Sequence, residues 1–197
     1  MSGRPTGRRP GQSDTRQRIL TEARELFGRN GFAQTPLRSV AAAAWVDVAL
    51  ISHYFGNKRG LFLEAVQLPV DPDTVLGPLA DAPEHELGST LVRQVLTAWE
   101  SPAGPAVVAA FRTAMSGEDQ GLLREFVLGV ALVPLRERLA RHHDDIDVRL
   151  ALVASQIAGL LAIRKVIGVD PLASMPVEDV VRRVGPTVQR YLTGDLD

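Results

Sequence analysis

Residues 35–58 read TPLRSVAAAAWVDVALISHYFGNK, and this stretch decides the fold. Thr35-Pro36 is a helix start: a capping hydroxyl, then a proline at the first helical position, where its missing N–H costs nothing. The helix it opens runs through Ala44 and turns Leu37, Val40 and Ala41 inward. Asp47 caps the next helix, which carries Leu50, Ile51, Tyr54 and Phe55 on its inner side until Gly56 breaks it. Ala41 and Ala42 are small, so the two helices can approach closely. Two short helices a tight turn apart, the second opening at a capping Asp, are what a helix-turn-helix requires: one helix buttresses while the next enters a major groove.

On the N-terminal side, Ile19, Ala23, Leu26 and Phe27 recur at helical spacing, and Asn30-Gly31 ends that helix. It opens near Ser13-Asp14. Residues 1–13 hold three Arg, three Gly and two Pro but no large apolar residue except Met1, and read as a flexible basic arm. On the C-terminal side, Asn57 caps a helix carrying Leu61, Phe62, Ala65 and Val66. Two prolines within Leu68–Pro72 mark a linker. Beyond it, helices are expected at 73–81, 84–100, 104–116, 119–141, 146–167 and 176–193, with Gly and Pro between most of them. No alternating strand pattern and no repeat is found. The predicted class is all-α, organised as an arm (1–13), a helix-turn-helix domain (14–67) and a helical body (68–197).

The 197 residues suffice for one or two domains with a real core. The absence of cysteine excludes a disulfide framework, a thiolate metal site and a cysteine nucleophile. No run approaches 18 uninterrupted apolar residues and no apolar segment follows the basic N-terminus, so neither a transmembrane helix nor a secretory signal is expected, and the expected location is the cytoplasm. The net charge of −1 conceals an asymmetry: residues 1–60 hold ten basic and four acidic residues, and the remainder twelve basic and nineteen acidic. A head of +6 on a body of −7 suggests a polyanionic partner for the head, although a chance fluctuation gives the same count.

Residues 15–66 resemble the DNA-binding domain of the TetR/AcrR family of bacterial transcriptional regulators. The resemblance is carried by T-R-x-x-I-L-x-x-A-x-x-L-F at 15–27, N-G-F at 30–32, T-x-x-x-x-V-A at 35–41, Val46, I-S-H-Y-F at 51–55 and N-K-x-x-L-F at 57–62. It covers about a quarter of the chain. The turn before Val46 usually carries glycine in this family and here carries Trp45: either Trp45 takes a positive φ, or the turn differs and the indole covers apolar surface.

The resemblance implies double-stranded DNA as partner and assigns roles by position. Thr35 is a phosphate contact. Arg38 reaches guanine or phosphate, Arg being the side chain that forks onto guanine O6 and N7. Val48 and Ala49 lead the helix that reads base edges, Ser52 and His53 are its polar groove candidates, and Tyr54 and Lys58 match phosphate-contact positions. Arg16, with Arg8 and Arg9, reaches the minor groove or backbone, or contributes only nonspecific attraction. The alternative for Arg38 and His53 is a solvated surface group, and for Tyr54 a core residue with its hydroxyl at the rim.

The family also dimerises through its last two long helices. Here Ala151, Ala154, Ser155, Ala158, Gly159 and Ala162 give the penultimate helix a small-residue surface suited to close packing, against a second copy or within the chain. The family's middle helices enclose a small-molecule effector pocket, for which Trp99, Phe111, Met115 and Phe126 are the large apolar candidates, although such residues more often fill a core. His142-His143-Asp144-Asp145 does not converge on a metal, because neighbours on a helix point about 100° apart. Neither a nucleophile elbow nor a phosphate loop nor a dinucleotide fingerprint is present, so no enzyme, cofactor or metal is expected. The expected function is an effector-responsive homodimeric regulator, most simply a repressor. An effector-independent DNA-binding protein, or a small-molecule carrier or enzyme whose head no longer reads DNA, are the alternatives.

Overall fold

The computed structural model describes residues 10–67, 71–115 and 120–196. These are helical, with no strand among the described residues, and they form two compact units, Met1–Val66 and Gln67–Asp197.

The first unit contains α1 (Pro10–Asn30), α2 (Leu37–Ala43), α3 (Val48–Phe55) and α4 (Lys58–Val66). Helix α1 begins at Pro10, earlier than Ser13-Asp14, so residues 10–13 of the expected arm are helical; proline is well placed in a first turn, where its N–H is not needed. The rest of the arm lies outside the described residues. Ile19, Ala23 and Phe27 of α1 are fully buried, and Val40, Ala44, Ile51, Leu61 and Phe62 close the core around them. Phe62 meets Phe27 and Phe32 edge-on, with ring centroids at 5.1 and 5.0 Å. Two side-chain caps are where the sequence puts them: the Asp47 carboxylate accepts the Ala49 N–H at 2.7 Å, and the Asn57 side-chain oxygen accepts the Gly60 N–H at 2.9 Å.

Thr35 is not a cap. Pro36 occupies the N-cap position of α2, and the Thr35 hydroxyl is turned inward, donating to the Gly31 carbonyl at 2.8 Å. Residues before α2 need their carbonyls satisfied as the chain leaves α1, and a buried hydroxyl does this. The α2–α3 turn closes through Trp45 N–H to Ala42 O (3.2 Å) and Val46 N–H to Ala41 O (3.0 Å), with Trp45 at φ +55°. The first of the two conformations expected for Trp45 is therefore realised, at a cost of about 1–2 kcal/mol relative to glycine. The indole repays none of this within the chain, being 89% exposed.

The second unit contains α5 (Pro72–Leu76), α6 (Pro78–Asp81), α7 (Leu87–Glu100), α8 (Gly104–Met115), α9 (Gln120–Phe126), α10 (Val133–Leu139), α11 (Ile146–Leu161) and α12 (Val177–Thr193). Three expected helices are interrupted. The segment 73–81 divides at Gly77-Pro78. The segment 119–141 loosens into a π-helical turn over Val127–Ala131, where Leu132 N–H reaches back to Val127 O, because Pro134 has no N–H to continue the α pattern. The segment 146–167 ends in a second π-helical stretch, Ala162–Ile167.

Helices α7 and α12 form the centre of this unit, burying Leu87, Leu91, Val92, Leu96, Val180, Val181, Val188 and Leu192. They cross at two glycines: a Cβ on Gly88 would stand 2.5 Å from the Gly185 carbonyl oxygen and 2.4 Å from Gln189 N. The Gln189 side chain spans the crossing, accepting the Gly88 N–H at 2.8 Å and donating to Glu84 O at 2.9 Å.

Two arginines are buried here. Arg149 donates to Asp145 (2.7 Å) and to the Gly194 carbonyl (2.8 Å); Arg164 donates to Glu100 (2.7 Å) and to Leu172 O. The helix that carries both, Ile146–Ile167, is long and apolar enough to cross a membrane by length and composition, with mean hydropathy 1.8 over an 18-residue window of which 28% is buried. The expectation of no such helix counted uninterrupted apolar runs. Asp147, Arg149, Ser155, Gln156 and Gly159 break the run, but the apolar residues between them keep the mean high.

Candidate nucleic-acid interface

Helix α3 divides cleanly. Ile51 and Phe55 are buried; Ala49, Ser52 and His53 are exposed, Val48 is 38% exposed, and Tyr54 is half-buried with its ring against those of His53 and Phe55. The capping Asp47 fixes where this outward face begins. Arg38, the second residue of α2, is exposed, and among the described residues of the first unit it is the cation with no hydrogen bond or ion pair. All five of these side chains are exposed: Arg38 offers a donor fork, Val48 and Ala49 apolar contacts, Ser52 and His53 hydrogen-bonding groups.

The other cations are committed internally. Arg16 is paired with Glu64 and lies over the Phe55 ring at 5.2 Å, tying α1 to α3 and α4. Arg18 Nε donates to Ala44 O and Arg24 Nε to Ala65 O, both at 2.8 Å, so two guanidinium groups cap the C-terminal ends of α2 and α4. Arg29 pairs with Glu25 at 2.6 Å, and Arg59 is engaged as well. Lys58 Nζ donates to Ala33 O at 3.1 Å and stands over the Phe32 ring at 4.7 Å, and its partial burial lowers its pKa from the usual lysine value. Thr35, Arg16 and Lys58 thus hold the unit together, whereas the outward groups are Arg38, Val48, Ala49, Ser52, His53 and, at its rim, Tyr54. Sequence reasoning missed Arg18 and Arg24 as capping groups. Their partners lie 26 and 41 residues away, and no local pattern announces such a bond.

In the second unit the apolar candidates separate. Trp99 is 7% exposed and sits in the core, Phe111 packs against that core, Phe126 is half-buried, and Met115 is 58% exposed at the end of α8. A groove of about 530 Å³ lies elsewhere, between α7 and α12, lined by His85, Ser89, Arg93, Glu178, Arg182 and Gln189 among others. On α11, Ala151, Ser155 and Gly159 are exposed, Ala158 is half-buried and Ala154 rests against the core; Ala162, which opens the π-helical stretch, is half-buried. Val148, at 57% exposure, and Ile163 and Ile167, at 37% and 65%, extend the open face. His142 to Asp145 form the turn before α11; Asp145 is spent on Arg149, which holds its carboxyl below the usual range, and no group of three potential ligands that could hold a metal occurs among the described residues.

Residues 19–65 match the model of the bacterial regulatory proteins of the tetR family, and residues 85–192, more than half the chain, match that of the tetracyclin repressor-like C-terminal domain. The chain belongs to the TetR family. Among curated relatives, the HTH-type transcriptional regulatory protein RaaS of Mycobacterium tuberculosis is 52% identical over 44 residues, 22% of this chain and 20% of its own. The HTH-type transcriptional repressor SCO4008 of Streptomyces coelicolor is 36% identical over 72 residues, 32% of this chain and 38% of its own. The chain thus spans well under half the length of the curated relatives it matches. A TetR-family regulator from Streptomyces coelicolor, SCO0857, of known crystal structure, is 33% identical with 94% of this chain and 98% of that one covered, at a TM-score of 0.47. The matched model describes bacterial regulatory proteins, and the curated relatives are named as transcriptional regulators or repressors.

Proposed function

We propose that this TetR-family protein is a homodimeric DNA-binding repressor, released from a near-palindromic operator by a small-molecule effector taken up by its second unit. The observation that carries the DNA-binding reading is the outward face of α3 with Arg38 beside it: an uncommitted guanidinium, two small apolar contacts and two polar groups on a capped helix of the helix-turn-helix. This is the mixture that reads base edges. The turn forms with Trp45 in place of the family's usual glycine, which supports a head that reads DNA.

A second copy would cover the open face of α11, where Val148, Ala151, Ser155, Gly159, Ile163 and Ile167 follow one another on a helix little buried in its own chain. Dimerisation would set two α3 helices about 34–36 Å apart, one turn of duplex. Effector binding would alter that separation, and a coupling of about 1–3 kcal/mol gives a 5–150-fold change in affinity.

The test begins with selection of duplexes from a randomised pool by the wild-type protein, then gel shifts. Arg38→Ala is expected to cost about 1–3 kcal/mol on the selected duplex and to relax preference at one symmetric pair of positions. Equal losses on selected and scrambled duplexes would make Arg38 a phosphate contact, and failure to enrich any duplex would refute DNA reading altogether.

A further inference from the structure

Trp45 is the most exposed of the large apolar side chains among the described residues, at 89%, and it stands in the left-handed region, where a bulky side chain is least at home. Helix α2 ends there regardless, because the Trp45 and Val46 N–H groups close back onto Ala42 and Ala41. A glycine would make the same two bonds without strain. The indole is thus carried at a cost by a site that does not use it for folding, and such strain concentrates where a surface works on something else.

Its position says on what. Asp47 begins α3 two residues later, so Trp45 stands at the N-terminal mouth of the helix whose outward face starts with Val48 and Ala49. A helix with its side chains is about 10–12 Å across, and the major groove is about 12 Å wide. Once α3 fills the groove, a ring attached at its mouth has no room beside it and is pressed onto the rim. The rim consists of deoxyribose and phosphate. An indole suits both, with an apolar face for the sugar and one N–H for a phosphate oxygen. We propose that Trp45 is a backbone anchor: its ring lies on a deoxyribose at the groove edge and its Nε1–H donates to the adjoining phosphate, fixing the depth and angle of α3 without reading sequence. This rests on the DNA-binding reading of α3.

The chain has two tryptophans, so a Trp99→Phe background leaves Trp45 as the sole reporter. The probe is a duplex that the wild-type protein selects from a randomised pool, alongside a scrambled duplex of equal length. The expected result is saturable quenching of Trp45 emission with the Kd of the gel shift. Trp45→Gly, which keeps the left-handed turn, should weaken both duplexes alike by about tenfold, the loss of one hydrogen bond to a charged group. Trp45→Phe, which keeps a ring but loses the N–H, should fall between. Trp45→Asn, which also tolerates the left-handed region, repeats the glycine result if the effect is loss of the indole rather than of the fold. Emission unchanged on a duplex that the gel shift shows bound, or Trp45→Gly binding as tightly as the parent, overturns the proposal and leaves the indole to a protein partner. A loss confined to the selected duplex overturns it in favour of a base contact. If no duplex is selected at all, the reading beneath it fails, and the two failures are told apart at that first step.

Discussion

Gly88→Ala adds one methyl group at the crossing of α7 and α12, and its effect can be worked from the geometry. The new Cβ would lie 2.4 Å from Gln189 N, 2.5 Å from Gly185 O and 2.7 Å from Gln189 Cα, all backbone atoms of α12, whereas ordinary contact begins at 3.4 Å. No side chain can swing aside, so α12 must retreat by roughly 1 Å, and overpacking of this kind costs about 1–3 kcal/mol. The same displacement loosens the Gly88 N–H to Gln189 bond, worth about 0.5–1.5 kcal/mol. Alanine returns at most about 1 kcal/mol of helix propensity. The net expectation is a loss of about 2 kcal/mol. It is read from urea unfolding followed by the emission of Trp99, which lies in the same core, in a Trp45→Phe background. Gly185→Ala meets Ser89 Cα at 3.1 Å and should cost less, and Gly159→Ala, with nothing within 4 Å, should be neutral or stabilising in the monomer. A Gly88→Ala midpoint at or above that of the parent would refute the argument that backbone contact sets this crossing.

Ser155→Arg probes assembly: Ser155 is exposed and its hydroxyl serves only its own helix, bonding Leu152 O at 2.7 Å, so the monomer should tolerate the change. If a second copy covers α11, the buried unpaired charge costs several kcal/mol, and light scattering should show monomers with parental circular dichroism; a dimer of parental affinity places the seam elsewhere. The Arg164 guanidinium holds the Glu100 carboxyl below the usual glutamate range. The folded pKa is thus below the unfolded one, so the pair's stabilisation is complete above the ordinary glutamate value and is lost as pH falls through the folded one. Acid titration of stability should therefore flatten over that window in Glu100→Gln, and an unchanged acid limb would count against the pair.

Helix positions and faces were legible wherever one element supplied the signal. Ile19, Ala23 and Phe27 carry their period openly, and Asp47 and Asn57 cap α3 and α4 by bonds two and three residues long. The features that were not legible depend on partners distant in the chain. Thr35 looks like a cap from its neighbour Pro36, but the carbonyls of Leu26 and Gly31 claim its hydroxyl. Lys58 has the position of a phosphate contact, and its bond to Ala33 O and its place over the Phe32 ring could not be read from the residues beside it. Gly88 and Gly185, nearly a hundred residues apart, are ordinary glycines until the helices cross. The outward residues of α3 were found because exposure there follows from the same helical period that buries Ile51 and Phe55.

The arginines that cap α2 and α4 bear on how such a molecule would search a chromosome. Each neutralised phosphate releases counterions and steepens the fall of log K with log salt by about 0.9. Formal charge would suggest many such contacts, but a guanidinium seated on the carbonyls of Ala44 or Ala65 has little to offer a passing phosphate. Among the described residues of the head, Arg38 is the cation left over. Random sequence should then be held weakly and left quickly, with few molecules detained away from their target. A steep salt dependence would have to come from Arg4, Arg8 and Arg9, and deleting residues 1–9 would flatten it.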